Sequence, residues 1–285
     1  MNSAPLNAIS DEQVATYARD GVVLLRAMFD ADWIEHLRAA VAEARAKPGP
    51  FFQDHTVKGE ATGFFSDLQM SLRVPAFRRF AQASPLGEIA GRLMRSYRVN
   101  FLQDAMWLKE PGTSRRTPWH HDQPFYCMEG DTMCVVWMPL DPVARETSLQ
   151  CLAGSHRWGR KFRPERVNGG WYDGYGEDDG FEAPPSAEAL RRDRRVVAWD
   201  MEPGDCLVFH GMTLHGAEGN ASNRPRRAVS FVLVGDDAVF VERGKETQPD
   251  YKGAGLSHGD PIDNAYFYRL WTRPAGEGTG RAPPA

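Results

Sequence analysis

The chain has only four cysteines, Cys127, Cys134, Cys151 and Cys206, and no pair is spaced C-x-x-C. That pattern excludes a cysteine zinc cage and a disulfide framework, and the thiols are expected to be buried and reduced. No apolar run is long enough to span a bilayer. The opening, MNSAPLNAISDEQ, has neither a positive n-region nor a hydrophobic h-region. No secretion signal or membrane partner is expected, and the expected location is cytoplasmic. A dominant charge is missing too: 34 Lys and Arg stand against 38 Asp and Glu, a net charge of −4. Such a chain has no general basic field for nucleic acid. The runs SRR (114–116) and RRDRR (191–195) are short and read as solvated surface. No G-x-S-x-G elbow, P-loop or strand-linked G-x-G-x-x-G occurs, which argues against hydrolase, NTPase and Rossmann readings. DGYGEDDG (173–180) lacks the full ligand spacing of a calcium loop and reads as a solvated acidic loop.

What is present suits one large domain. The chain has 285 residues, 42% of them hydrophobic and 25% charged, enough to bury a sizeable core. Helical signals come first. Ser10 can cap DEQVATYARDG, with Gln13 as capping-box partner and Gly21 as the stop. A strand, VVLLRAMF (22–29), follows. Asp30 can cap ADWIEHLRAAVAEARA, whose Trp33, Leu37, Val41 and Ala44 share a face. VPAFRRFAQASPLGEIAGRLM is a further helical region. From about residue 97 the segments are short, apolar or alternating, and bounded by turn residues. The predicted fold is mainly β with flanking helices, a jelly-roll core of about 97–240 behind a helical flank of about 1–96. A polar stretch of about 158–196, with Trp171, Tyr172 and Tyr175 among glycines, is expected to be a lid-like insertion. One domain is expected over 1–272, with 273–285 a disordered tail.

The chemistry centres on TPWHHDQPF (117–125). On a strand, His120 and Asp122 share one face and His121 points the other way. Alone, H-x-D is a weak signal. The stretch 203–235 adds His210 and His215, then Arg226 and Arg227 at the start of another strand. A histidine from there would complete the two-histidine, one-carboxylate facial triad of non-haem Fe(II) oxygenases. The open positions of such a site take a bidentate keto acid and O2. The far carboxylate of an α-keto acid calls for a cation, best an arginine fork, and Arg226 is well placed. Residue types and spacing alone leave open a non-catalytic metal-binding or sensing barrel, and a cupin-like enzyme that uses no keto acid. An intact Arg226 argues against both.

WHHD (119–122), W-x-P-L-D (137–141), SLQCLAGSHRWG (148–159), GD-x-x-x-FH-x-x-x-x-HG (204–216) and N-x-S-x-x-x-R-R-x-x-S (220–230) occur in that order. Together they resemble the phytanoyl-CoA dioxygenase family of Fe(II)/2-oxoglutarate oxygenases, which includes the ectoine hydroxylases. The resemblance spans roughly 97–235 and extends to the early DGVVLLRAMF. It implies a double-stranded β-helix and use of Fe(II), 2-oxoglutarate and O2, with hydroxylation of a small organic substrate and release of succinate and CO2. It assigns His120, Asp122 and His215 as iron ligands, favouring His215 over His210, and Arg226 as the residue for the 2-oxoglutarate C5 carboxylate. Thr147 and Ala153 stand where the family has glycine and proline, which touches loop shape. Related halogenases replace the aspartate with Gly or Ala, so the retained Asp122 implies hydroxylation.

The substrate pocket is expected along NFLQDAMWLKE, where Gln103, Ala105, Trp107 and Lys109 share a face. A glutamine matching Gln103 lies in the pocket of ectoine hydroxylases, and Lys109 could favour an anionic group. Gln123 and Trp137 are placed in the same pocket. Arg227 reads as surface or interface, and His121 as hydrogen-bonded locally. His36, His55 and His258 read as plain surface histidines.

Overall fold

Residues 1–193, 195–247 and 254–276 are described by the structure, a computed structural model. The first helix, α1 (Asp11–Asp20), begins with the expected box: the Ser10 hydroxyl accepts from the Gln13 N–H while the Gln13 side chain accepts from the Ser10 N–H. Gly21 ends it at φ 72°, the left-handed conformation that glycine tolerates. Strand β1 (Val22–Leu25) is shorter than the expected 22–29. The chain turns out at Ala27 (φ 48°), whose N–H donates to the Asp205 carboxylate. Asp30 then caps α2 (Ala31–Ala46) through the Trp33 N–H, and the helix buries Trp33, Leu37, Val41 and Ala44. Strands β2 (Gln53–Asp54) and β3 (Phe64–Leu68) follow. The next helical region is two helices, α3 (Pro75–Ala83) and α4 (Leu86–Met94), separated at Ser84–Pro85. A proline ring does not permit the preceding helix to continue through it.

The β core runs through β4 (Arg98–Lys109), β5 (Thr117–His120), β6 (Met128–Glu129), β7 (Met133–Pro139) and β8 (Gln150–Leu152). After the short strands β9 (Lys161–Phe162) and β10 (Phe181–Glu182), helix α5 (Ala187–Arg192) and β11 (Val196–Val197), it resumes with β12 (Cys206–His210), β13 (His215–Ala217) and β14 (Arg226–Val234). It closes with β15 (Val239–Phe240) and β16 (Arg269–Thr272). The main sheet has eight strands in the order β1-β12-β7-β14-β4-β3-β2, with β16 also on β4. A smaller sheet has the order β11-β8-β13-β5. Every pair in both sheets is antiparallel. The fold is the expected double-stranded β-helix. The 1–96 flank is less purely helical than expected, because β1 closes one edge of the main sheet and β3 and β2 extend the other.

Period-two alternation sorts the main sheet into two cores. Cys134, Val136 and Met138 of β7 and Val229, Phe231 and Leu233 of β14 face the helices. Phe231 meets the rings of Phe77 and Phe80 at 6.3 and 5.0 Å, which seats α3 on the sheet. Val135 and Trp137, with Ala228, Val232 and Val234, face inward between the sheets. On β4 a register shift opposite Val232 and Leu233 turns both Leu102 and Gln103 inward. That shift sets the face used by Gln103 and Trp107.

The 158–196 stretch is partly structured. Its strands β9 and β10 pair in parallel, and Tyr175 is fully buried, its hydroxyl donating to the Glu246 carbonyl. Arg273, the first residue of the expected tail, is anchored. Its N–H donates to the Tyr97 carbonyl at 2.7 Å, and its guanidinium donates to the Gly91 and Ser96 carbonyls. The rest of the tail expectation, 277–285, lies outside the described residues, as does Arg194 of the RRDRR run. Among the described residues no helix is long and apolar enough to cross a membrane.

Candidate metal centre and cavity

His120 ends β5 and His215 opens β13, and antiparallel pairing sets the two directly opposite each other, ring centroids 4.3 Å apart. Asp122 is not on the strand, contrary to the expectation from alternation. It stands in a helical conformation at the head of a short 3-10 turn, Gln123–Phe125. Its N–H and that of Gln123 donate to the Gly211 carbonyl at 3.0 Å, and this turn brings the carboxylate back towards the histidines. Asp122 Oδ1 lies 3.3 Å from His120 Nε2 and 3.8 Å from His215 Nε2. Each imidazole pairs its Nδ1 with the carbonyl two residues earlier, Pro118 at 2.8 Å and Thr213 at 2.9 Å. Those carbonyls orient both rings with Nε2 turned towards the carboxylate.

The donor set fits a divalent cation. The three ligand atoms lie within 4.8 Å of one another, and no other group of metal-binding side chains forms among the described residues. Burial opposes ionisation of Asp122, but His215 and His120 outweigh it and hold the carboxyl below its ordinary range. Burial pushes His215 down to about 4, with His120 adding to the effect. Burial works against charge on His120 as well, yet its bond to Asp122 carries it upward. One ionised carboxylate and two imidazoles with Nε2 presented are the ligand types of the facial triad.

A cavity of roughly 1130 Å³, open mouth included, runs from this cluster to Arg226. Arg226 is 4% exposed. Its Nη1 donates to the Thr147 carbonyl at 2.7 Å, its Nε is buried with no partner, and it lies 6.0 Å from the Trp137 ring. Burial lowers its pKa to about 10, so it stays a cation at neutral pH. A buried guanidinium with unused donors in the lining of a cavity suits a carboxylate. Trp107 donates to Ser230 Oγ at 2.9 Å, and both line the same space.

Of the expected pocket residues, Gln103, Trp107 and Trp137 line the cavity, whereas Lys109 and Gln123 do not. Lys109 is fully buried under the Phe64 ring and donates to the carbonyls of Glu218 and Ala217, tying β4 to the end of β13. Burial and the Arg226 charge lower its pKa well below the usual value. Gln123 points away, its Nε2 donating to the Gly130 carbonyl at 2.7 Å. His121 pairs with the Met212 carbonyl at 2.9 Å and stacks on Phe162. His210 bonds the Asp131 carbonyl and is no part of the cluster. Arg227 is engaged by Asp141, which explains the aspartate of W-x-P-L-D.

His55 corrects the sequence reading. It is 2% exposed and lines the cavity, with Nε2 2.8 Å from Ser66 Oγ and Nδ1 3.2 Å from Asn168 Oδ1. Arg115 is likewise not a free surface charge, since it donates to the carbonyls of His55 and Val167. Tyr126 was missed. It lies in the loop after Asp122, lines the cavity and accepts from Gln103 Nε2 at 3.1 Å. Arg243 was missed as well. It gathers that loop by donating to the carbonyls of Tyr126, Met128 and Gln123 and to Glu129. The turn spacing Asp122 to Tyr126 was a usable local signal; nothing local points to His55 or Arg243.

Comparison with known proteins agrees with this geometry. The family model described as phytanoyl-CoA dioxygenase matches residues 17–228. An ectoine dioxygenase of Sphingopyxis alaskensis is 24% identical over 232 residues, 79% of this chain and 74% of that protein. A phytanoyl-CoA dioxygenase of Arabidopsis thaliana is 25% identical over 186 residues, 62% of this chain but only 61% of that protein. Among solved structures, the α-ketoglutarate-dependent carbocyclase SnoK from nogalamycin biosynthesis matches with a TM-score of 0.73 and 22% identity, covering 95% of this chain and 100% of that one. EctD from S. alaskensis, crystallised with 2-oxoglutarate and 5-hydroxyectoine, matches with a TM-score of 0.65 and 21% identity, covering 92% and 87%. The structural matches establish the shared fold.

Proposed function

Because the chain belongs to the phytanoyl-CoA dioxygenase family of Fe(II)- and 2-oxoglutarate-dependent oxygenases, we propose that it hydroxylates an unactivated C–H bond of a small organic substrate. The balance is R–H + 2-oxoglutarate + O2 → R–OH + succinate + CO2. One observation carries the reading: two Nε2 atoms and an ionised carboxylate share a single cavity with a buried guanidinium that still has unused donors. EctD, crystallised with 2-oxoglutarate and 5-hydroxyectoine, supports hydroxylation as the outcome.

Iron(II), when bound, supplies the redox chemistry that activates O2. His120, Asp122 and His215 would hold it. The carbonyls of Pro118 and Thr213 keep both rings oriented with Nε2 forward. Arg226 binds the C5 carboxylate of 2-oxoglutarate and, being buried, does so where a charge-assisted bond is little screened. Trp137 walls that end. The C–H bond is positioned by the aromatic walls rather than by covalent attachment.

The 158–196 insertion covers the mouth and excludes water. Supporting this, Pro164, Glu165, Val167 and Tyr172 line the cavity and Tyr172 meets Phe125 at 4.4 Å. The test is succinate formation from 2-oxoglutarate by purified protein with Fe(II) and O2, screened over small organic compounds. Iron-dependent succinate release coupled to a substrate gaining one oxygen supports the reading. A protein that binds iron but releases no succinate with any compound refutes it.

A further inference from the structure

The cavity's lining carries information about what enters it. Aromatic side chains make up much of it, among them Phe64, Trp107, Phe125, Tyr126 and Tyr172. They fall into two contact groups. His55, Phe64 and Trp107 follow one another at 4.8 and 6.4 Å, and Phe125 meets Tyr172 at 4.4 Å. Apart from Arg226 no lysine or arginine lines the cavity among the described residues, and the one carboxylate outside the proposed metal cluster is Glu165. Lys109, the residue that could have received an anion, is turned to the carbonyls of Ala217 and Glu218. Arg115 and Arg116 line a neighbouring depression that shares Thr117, Pro118, Glu165 and Val167 with the cavity, and Arg115 already serves two carbonyls. Burying an anion without a partner is costly.

Two hydroxyls of the lining accept a hydrogen bond without giving one among the described residues: Ser230, beside Trp107, and Tyr126. Tyr126 is 8% exposed, and its hydroxyl oxygen accepts from Gln103. Among the described residues nothing accepts the hydroxyl's own proton. Burial, reinforced by the Asp122 carboxylate, moves its pKa well above the ordinary value, so it remains a donor. A buried tyrosine hydroxyl ordinarily finds an acceptor, and pockets of this kind orient an apolar ligand by a few such groups.

We propose that the substrate enters as an uncharged, ring-bearing apolar molecule and that Tyr126 anchors it by donating a hydrogen bond to a neutral oxygen, a carbonyl, hydroxyl or ether. The inference rests on the hydroxylase reading for the words substrate and reaction, but its binding rule can be measured without turnover. It sets aside acyl-CoA thioesters and carboxylates as the substrate.

The test is anaerobic binding to the full chain loaded with Fe(II) and 2-oxoglutarate, followed by tryptophan fluorescence. The probes are 2-acetonaphthone, 2-ethylnaphthalene, 2-naphthoate and octanoyl-CoA. The neutral ketone is expected to bind about five- to ten-fold more tightly than its hydrocarbon match, the net worth of one hydrogen bond, and at least about ten-fold more tightly than the carboxylate. Tyr126→Phe is expected to bring the ketone to the level of the hydrocarbon and leave the hydrocarbon unchanged. Tighter binding of 2-naphthoate or octanoyl-CoA, an unchanged ketone preference in Tyr126→Phe, or no binding of the ketone up to its solubility overturns the proposal. The wild-type ranking tests the charge rule whether or not the variant folds. Failure of succinate formation in the separate turnover assay would strike the hydroxylase reading while leaving this ranking readable.

Discussion

Replacing Arg226 with alanine removes a cation that is 4% exposed and lines the cavity. Its Nη1 is committed to Thr147, but its Nε is without a partner, so the fork retains donors for an incoming carboxylate. A charge-assisted bond of this kind contributes about 1.5–3 kcal/mol, which is roughly a ten- to hundred-fold rise in KM for 2-oxoglutarate. Arg226→Lys is expected to recover only part of this, because an ammonium cannot form the planar fork. Steady-state succinate formation against 2-oxoglutarate concentration reads the effect. Arg227→Ala is the control: its guanidinium is held by Asp141, so KM should stay near wild type while stability falls. A normal KM in Arg226→Ala together with a raised KM in Arg227→Ala would refute the assignment.

Other expectations follow from the same contacts. Arg243→Ala should destabilise the protein by about 1.5–3 kcal/mol and weaken Fe(II) binding, because it releases the loop that follows Asp122; normal denaturation and normal iron affinity together would contradict this. Burial lowers His55 to about 4 from the ordinary 6.5, so the unfolded chain takes up the proton first. Stability from this group is complete above about 6.5 and is lost as pH falls towards 4. His55→Gln should flatten that fall in thermal midpoint, and parallel curves for variant and wild type would sink the argument. If 158–196 covers the mouth, proteolysis between Arg160 and Arg195 should slow when Fe(II), 2-oxoglutarate and substrate are bound without oxygen. Equal cleavage in both states, with full turnover after shortening 169–180, would count against a lid.

Much of the fold was legible because it is written in local periodicity. The core strands were legible as short apolar segments bounded by turn residues, and Ser10 and Asp30 marked helix starts by side-chain chemistry that acts over three residues. The proposed metal ligands were legible as motif pieces, although His120 and Asp122 come together by a turn and not by strand alternation. What escaped depends on contacts distant in sequence. His55 looked like a surface residue among charged neighbours, and the pairing of β2 with β3, which sets it against Ser66, and the approach of Asn168 bury it. Lys109 shares a strand face with Trp107, but the carbonyls at the end of β13 draw its ammonium away. Arg243 holds a loop more than a hundred residues earlier, a distance at which local pattern carries no information.

The central claim is that His120, Asp122 and His215 form one iron site with no spare ligand. Anaerobic equilibrium binding of Fe(II) measures it most directly. Wild type should bind one ion per chain, and the alanine variants of His120, Asp122 and His215 should each lose it. His210→Ala, whose ring bonds only backbone in this structure, should retain it. Loss of iron in His210→Ala with retention in His215→Ala would contradict the account.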